Sequence, residues 1–203
     1  MDYFVTGIDT DSGKTLVCAI LCDALEADYW KPIQAGTPAD KDTVRDLISN
    51  RTTVIHPETY FLKTAASPHA AAKIDGVEIK ISNIIRPRTN SDLIIEGAGG
   101  CLVPLNDHEF VIDLAQQFDA EVILVADLYL GSINHTLLTF RALSQGKLKV
   151  KGIIFNGVSN SESERIILHH TQLECLLRID REEKLDREVV KKYADILRAS
   201  WHG

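Results

Sequence analysis

Phe4-Val5-Thr6-Gly7-Ile8-Asp9-Thr10-Asp11-Ser12-Gly13-Lys14-Thr15 opens on strand-forming apolar residues, turns through two glycines and ends on a lysine and a hydroxyl residue. It reads as a phosphate-binding loop. Backbone N–H groups of such a loop, with the start of the helix that follows, suit a polyphosphate; the lysine adds a mobile positive charge and the threonine hydroxyl reaches Mg²⁺. The general pattern G-x-x-x-x-G-K-[ST] wants its first glycine where this chain has Ile8, and the glycine stands one place earlier, at Gly7. A strand before and a helix after supply the context the motif needs. An ordinary glycine turn with a solvated lysine is the alternative reading of the same residues.

Outward from the loop, Leu16, Ala19, Ile20 and Ala24 recur at helical spacing and predict a helix over 16–26. Tyr29-Trp30-Lys31-Pro32-Ile33 is a short strand whose proline ends the pairing. In a parallel sheet Lys31 would face the same crevice as the loop; taken alone it reads as a surface lysine at a strand edge. A short helix is expected from Asp42 to Leu47, with Asp42 and Asp46 one turn apart. That spacing leaves a metal carboxylate open and favours a solvated face. Ser67-Pro68 places an N-cap serine before proline at a first helical position, and His69 then faces either a ligand or solvent. Val77, Ile81, Ile84 and Ile85 predict an amphipathic helix ending before Pro87.

Ser91 to Gly100 is a buried strand ending in Glu96 and then Gly97-Ala98-Gly99-Gly100, the arrangement by which an acid reaches a magnesium–phosphate site. Glu121–Asp127 and Val150–Phe155 are further strands, with a helix from Ser132 to Leu143 between them. Past Asn156-Gly157, residues 162–172 and 186–199 read as helices and 173–179 as a last strand. Strands alternating with helices predict an α/β fold, a mostly parallel sheet with helices on both faces. No linker divides the chain, so one domain over 1–203 is expected.

A length of 203 residues with 45% hydrophobic content suits one sizeable core. The formal charge of −7 argues against a nucleic-acid or anionic-membrane surface. Cys18, Cys22, Cys101 and Cys175 have no paired zinc spacing and read as free thiols. With no basic leader and no apolar run of about 18 residues, a cytoplasmic protein without membrane or nucleic-acid partners is expected.

Together these motifs resemble the dethiobiotin synthetases, P-loop NTPase-like ligases that close the ureido ring in biotin synthesis. That family's first loop is like Gly-Thr-Asp-Thr-x-x-Gly-Lys-Thr, with the same shifted glycine. Trp30-Lys31-Pro32-Ile33-Gln34-Ala35-Gly36, Ser67-Pro68-His69, Glu96-Gly97-Ala98-Gly99-Gly100, Leu130-Gly131-Ser132-Ile133-Asn134-His135 and the strand ending at Asn156 follow in the family order, covering the chain to about Val158.

The resemblance implies ATP and Mg²⁺ as cofactors, 7,8-diaminopelargonate and CO₂ as substrates, and a homodimer. It implies nucleotide contacts at Asp11, Ser12, Gly13, Lys14, Thr15, Gly97, Ala98, Gly99, Asn156 and Gly157, the adenine falling to Asn156. Thr15, Asp42 and Glu96 would hold the metal, and Lys31, with Lys14, would be catalytic. Thr10, Lys31 and Ala35 would lie at the substrate, with Ser132 and Asn134 of the second subunit on its carboxylate. Two departures stand out. The family often has serine or threonine at Ala35, leaving a hydrogen bond to Gln34 or water. Its Gly-x-Ile-Pro turn near the nucleoside is replaced by Leu176-Leu177-Arg178-Ile179-Asp180. The rival readings are a partitioning-type ATPase, which carries an extra lysine early in the loop where this chain has Thr10, and an amidoligase, which usually brings a glutaminase domain.

Overall fold

Successive side chains along a strand leave it on opposite sides, and in the long strands of this protein both sides are apolar. Tyr3 and Val5 enter one core and Phe4 the other; Ile94 opposes Leu93 and Ile95; Ile123 and Val125 oppose Val122 and Leu124. Such a sheet has to be covered twice. The computed structural model describes residues 1–202 and shows that cover. In chain order the elements are β1 (Asp2–Gly7), α1 (Lys14–Leu25), β2 (Asp28–Trp30), β3 (Ile33–Ala35), α2 (Asp40–Leu47), β4 (Ile55–His56), β5 (Tyr60–Leu62), α3 (Pro68–Asp75), β6 (Leu93–Gly100), α4 (Val111–Gln117), β7 (Glu121–Asp127), α5 (Ser132–Gln145), β8 (Val150–Asn156), α6 (Ser161–Thr171), β9 (Cys175–Ile179) and α7 (Arg187–Ser200).

Seven strands form one sheet in the order β4-β2-β6-β1-β7-β8-β9, and every pairing is parallel. Helices α1, α2 and α7 pack on the Tyr3–Val5 face; α3, α4, α5 and α6 supply the core of the Phe4 face. Because the strands run one way, the loops after β1, β2, β6, β7 and β8 gather at one edge. Strands β3 and β5 make a separate parallel pair beside that edge.

Helix α1 is tied to α7. The last carbonyls of a helix have no partner within it. Arg198 of α7 donates Nε to Ala24 O at 2.9 Å and Nη2 to Asp23 O at 2.7 Å. Just beyond α7, Trp201 packs edge-on against Tyr3, with ring centroids 5.4 Å apart. All four cysteines are free, and Cys18, Cys22 and Cys101 are buried. Among the described residues no helix is long and apolar enough to cross a membrane.

Three expectations change. β2 stops at Trp30, and Ile33 belongs to β3 after the Lys31-Pro32 break. The helix expected to begin at Asp42 begins at Asp40. Residues 77–85 form no α-helix: Gly76, at φ 69°, closes α3, and the chain runs on with a single 3₁₀ turn at Ile81–Asn83. Val77 and Ile85 are exposed, whereas Ile79, off the expected stripe, is buried with Ile81 and Ile84. Helix α4 and the short strands β4 and β5 were not read from the sequence.

Candidate active site

The loop between β1 and α1 is built around two glycines that cannot be replaced in place. A Cβ on Gly7 would lie 1.9 Å from Ser12 Oγ, which folds back to donate to Asp9 O at 3.0 Å. Gly13, at φ 91°, is in the left-handed region that disfavours other residues, and a Cβ there would meet Asn156 Nδ2 at 2.3 Å. The shifted glycine of the motif is therefore a packing requirement: Ser12 occupies the space beside Gly7. Lys14 curls over the loop and donates to Asp9 O at 3.0 Å and Thr10 O at 2.9 Å.

Strand register explains the second half of the site. Trp30 pairs with Ile95 and Val5 with Glu96, so one step past β2 Lys31 comes level with Glu96. Side chains two apart share a face, which puts Tyr29, Lys31, Ile94 and Glu96 on the side covered by α1. Glu96, only 1% exposed, receives Lys31 Nζ at 2.9 Å and Thr15 Oγ1 at 2.9 Å on Oε1, and Tyr29 OH at 2.8 Å on Oε2. Lys31 Nζ also donates to Asp40 Oδ2.

Burial opposes every charge here, and the partners decide the outcome. Burial alone would lower the Lys31 ammonium, but Glu96 and then Asp40 outweigh it and hold it above the ordinary lysine range. Burial would raise Glu96; Lys31, with the Tyr29 and Thr15 hydroxyls, holds it below the ordinary range. Lys14 is lowered, chiefly by burial, with Glu96 pulling the other way. Asp40 is raised by burial and by Glu96 against the pull of Lys31. Lysines 14 and 31 are thus two buried cations beside two acids, with Thr15 between them.

These groups line one cavity of about 430 Å³, within the range of small-molecule sites. Thr10, Asp11, Lys14, Thr15, Lys31, Ala35, Glu96, Ala98 and Gly99 all reach it. Ser12 and Gly13 lie in the loop backbone, and Gly97 is buried behind the wall, with the place for a Cβ 3.1 Å from Phe4 Cζ. Asn156 donates Nδ2 to Ser12 O at 3.0 Å, bracing the loop; Gly157 donates its N–H to Ile179 O at 3.0 Å.

The remaining assignments fare differently. Asp42 is not in the cluster: it is half exposed and pairs with Arg45 one turn on. Residues two apart on a helix point about 200° apart, so with α2 starting at Asp40 it is Asp40 that turns inward. A helix expected only from Asp42 leaves Asp40 in the preceding loop, so the sequence reading weighs Asp42 and Asp46 and passes Asp40 over. Gln34 lines the cavity beside Ala35, its Oε1 accepting Asp40 N at 3.2 Å and its Nε2 donating to Gly36 O at 3.2 Å. His69 is exposed on a separate groove, its Nδ1 3.2 Å from the Oγ of Ser67, which lines the cavity. Ser132 is buried at the start of α5 and lines a second cavity with Leu128–Ile133 and 158–160; Asn134 is exposed on the same turn. Within one chain neither joins Lys31. Tyr29 was read only as a strand former, since nothing in a sequence shows where a tyrosine hydroxyl ends.

A model of the AAA domain matches residues 1–189. ATP-dependent dethiobiotin synthetase BioD of Cytophaga hutchinsonii is 60% identical over 202 residues, covering 98% of both chains. The chain belongs to the dethiobiotin synthetase family. A second relative in that family, from Christiangramia forsetii, is 48% identical over 97% of this chain and 95% of its own. Among solved structures, a ParA family ATPase from Chlorobium tepidum aligns at TM-score 0.59 and 11% identity over 98% of this chain and 92% of its own. The septum site-determining protein MinD of Pyrococcus horikoshii, complexed with Mg-ADP, aligns at 0.58 and 15% over 99% and 90%. At those identities the likeness is one of fold alone: this chain shares its parallel α/β architecture with those two proteins.

Proposed function

We propose that this protein is a cyclo-ligase that converts 7,8-diaminopelargonate, CO₂ and ATP to dethiobiotin, by way of a carbamate and a carbamic–phosphoric anhydride. The observation that carries this reading is the convergence of Lys14 and Lys31 on one cavity, in a chain 60% identical to a named dethiobiotin synthetase. Negative charge gathers on the carbamate, the transferring phosphoryl group and the leaving oxygens. Fixed cations beside them stabilise it without a covalent protein intermediate. In this reading Lys14 swings from the Asp9 and Thr10 carbonyls to the phosphates, joined by the amides of residues 11–15. Lys31 meets the carbamate and the transferring group. Thr10 lies beside the diamine, and Asn156 offers its Oδ1 to the base amino group.

Three oxygen donors fit Mg²⁺: the Thr15 hydroxyl and the carboxylates of Glu96 and Asp40, the last replacing Asp42. Among the described residues no three His, Cys, Asp or Glu side chains gather to hold a metal alone, which suits an ion that keeps water and phosphate ligands. When bound, Mg²⁺ would neutralise phosphate charge. Ser132 and Asn134 lie outside the Lys31 cavity of their own chain, which supports a homodimer in which they serve the partner's substrate carboxylate. A cytoplasmic location goes with this reading.

The test is mass-spectrometric detection of dethiobiotin from purified protein with 7,8-diaminopelargonate, bicarbonate, ATP and Mg²⁺. Absence of product while the folded protein binds nucleotide overturns the assignment. Sedimentation showing only monomer at assay concentration removes the shared site.

A further inference from the structure

Glu96 has three hydrogen-bond donors, and they are not equivalent. Thr15 and Lys31 line the cavity and meet Oε1. Tyr29 does not line it: the whole residue is buried, and its hydroxyl meets Oε2 at 2.8 Å from behind. Among the described residues the hydroxyl makes no other hydrogen bond. We propose that Tyr29 is a positioning residue for the metal-holding carboxylate, clamping Oε2 against the core so that Glu96 presents only Oε1 to the cavity. This rests on the reading that Glu96 holds the metal.

The reasoning follows from geometry. Tyr29 on β2 pairs with Ile94 of β6, two residues before Glu96 on the same face, so the tyrosine ring reaches forward along the sheet to the carboxylate. Its root is packed in the α1-side core with Val17, Cys18 and Leu21, which leaves the ring little freedom. The two cavity-side donors have other duties: Thr15 is itself a candidate ligand and Lys31 also bonds Asp40. When they turn to metal and substrate, Tyr29 is the one contact that keeps the carboxylate in register. Such outer partners typically change metal affinity or activity by about 10- to 100-fold when lost.

The experiment is calorimetric binding of ADP, once in EDTA and once in excess Mg²⁺, for the wild type and Tyr29→Phe. Phenylalanine keeps the ring and removes only the hydroxyl. ADP affinity in EDTA should be unchanged, and the enhancement by Mg²⁺ should fall about tenfold, the lower end expected for an outer-shell partner. An enhancement equal to that of the wild type, or a wild type with none, overturns the proposal. So does a variant that loses thermal stability while keeping its Mg²⁺ enhancement, since Tyr29 is then only structural. Should Tyr29→Phe fail to fold because Oε2 is left buried without a donor, Glu96→Gln relieves that charge. Adding Tyr29→Phe to Glu96→Gln should then produce no further change, and a further loss refutes action through Glu96. No diamine enters these measurements. A protein that makes no dethiobiotin but shows the predicted loss would sink the reaction and keep the clamp.

Discussion

Replacing Lys31 with glutamine separates two jobs that the same ammonium performs. At 2.9 Å and an effective dielectric constant of about 20, its attraction to Glu96 is about 6 kcal/mol before desolvation is subtracted. Removing one partner of a buried pair typically costs about 3–5 kcal/mol, because the other charge is stranded. Here Tyr29 and Thr15 still donate to Glu96 and glutamine supplies a neutral amide, so a loss near the lower figure is expected in urea unfolding of the free protein. During turnover the missing contact is one to developing negative charge, and loss of such a donor costs about 2.7–4 kcal/mol, or about 10²–10³ in kcat. Nucleotide affinity should barely move, since Lys14 and the loop amides are intact. The assay is single-turnover dethiobiotin formation at saturating ATP and diamine, with folding checked by circular dichroism in the same buffer. A kcat within about tenfold of wild type in a folded variant would refute the role, because about 1.4 kcal/mol is too little for a charge contact at the reacting centre.

Other outcomes follow from the same arrangement. Asp40→Asn should weaken Mg²⁺-dependent nucleotide binding by about tenfold or more, whereas Asp42→Asn should stay within about 0.5 kcal/mol of wild type; equal effects on metal-dependent binding would reverse the assignment. Thr10→Val should raise the KM for the diamine more than the Kd for ADP, and parallel changes would take Thr10 away from the substrate. Burial would raise Asp28, but hydrogen bonds from Thr89, Val54 N and His56 hold its pKa below the usual carboxylate range. A depressed folded pKa gives stability that is present above the unfolded value of about 3.9 and is lost as pH falls through the folded value. Asp28→Asn should therefore flatten the dependence of unfolding free energy on pH below about pH 4, and an unchanged slope in urea titrations would count against it.

What the sequence revealed and what it hid divide along a physical line. β1, β6, β7 and β8 were readable because strands buried on both faces are continuous apolar runs, and their glycine or acidic ends mark the loop edge. The phosphate loop was readable because its chemistry is local, from Gly7 to Thr15. Asp40 was hidden because the phase of α2 is fixed from a distance: Gln34 accepts the Asp40 N–H and Lys31 holds its carboxylate. The stretch 77–85 misled because four apolar residues matched helical spacing, while the core took Ile79 from an extended chain instead. The contact between Tyr29 and Glu96 spans 67 residues of sequence and depends on sheet register, which no local pattern encodes.

The two hydrogen bonds from Arg198 to the end of α1 bridge 174 and 175 residues. During synthesis the helix that follows the phosphate loop therefore emerges long before its terminal carbonyls can find their partner. At about 5–20 residues per second the interval is roughly 9–35 s. Over that time the carbonyls of Asp23 and Ala24 at the end of the first helix lack the guanidinium of α7 that pairs with them in the fold. A ribosome stalled before residue 198 would display a loop whose supporting helix still lacks its Arg198 contacts.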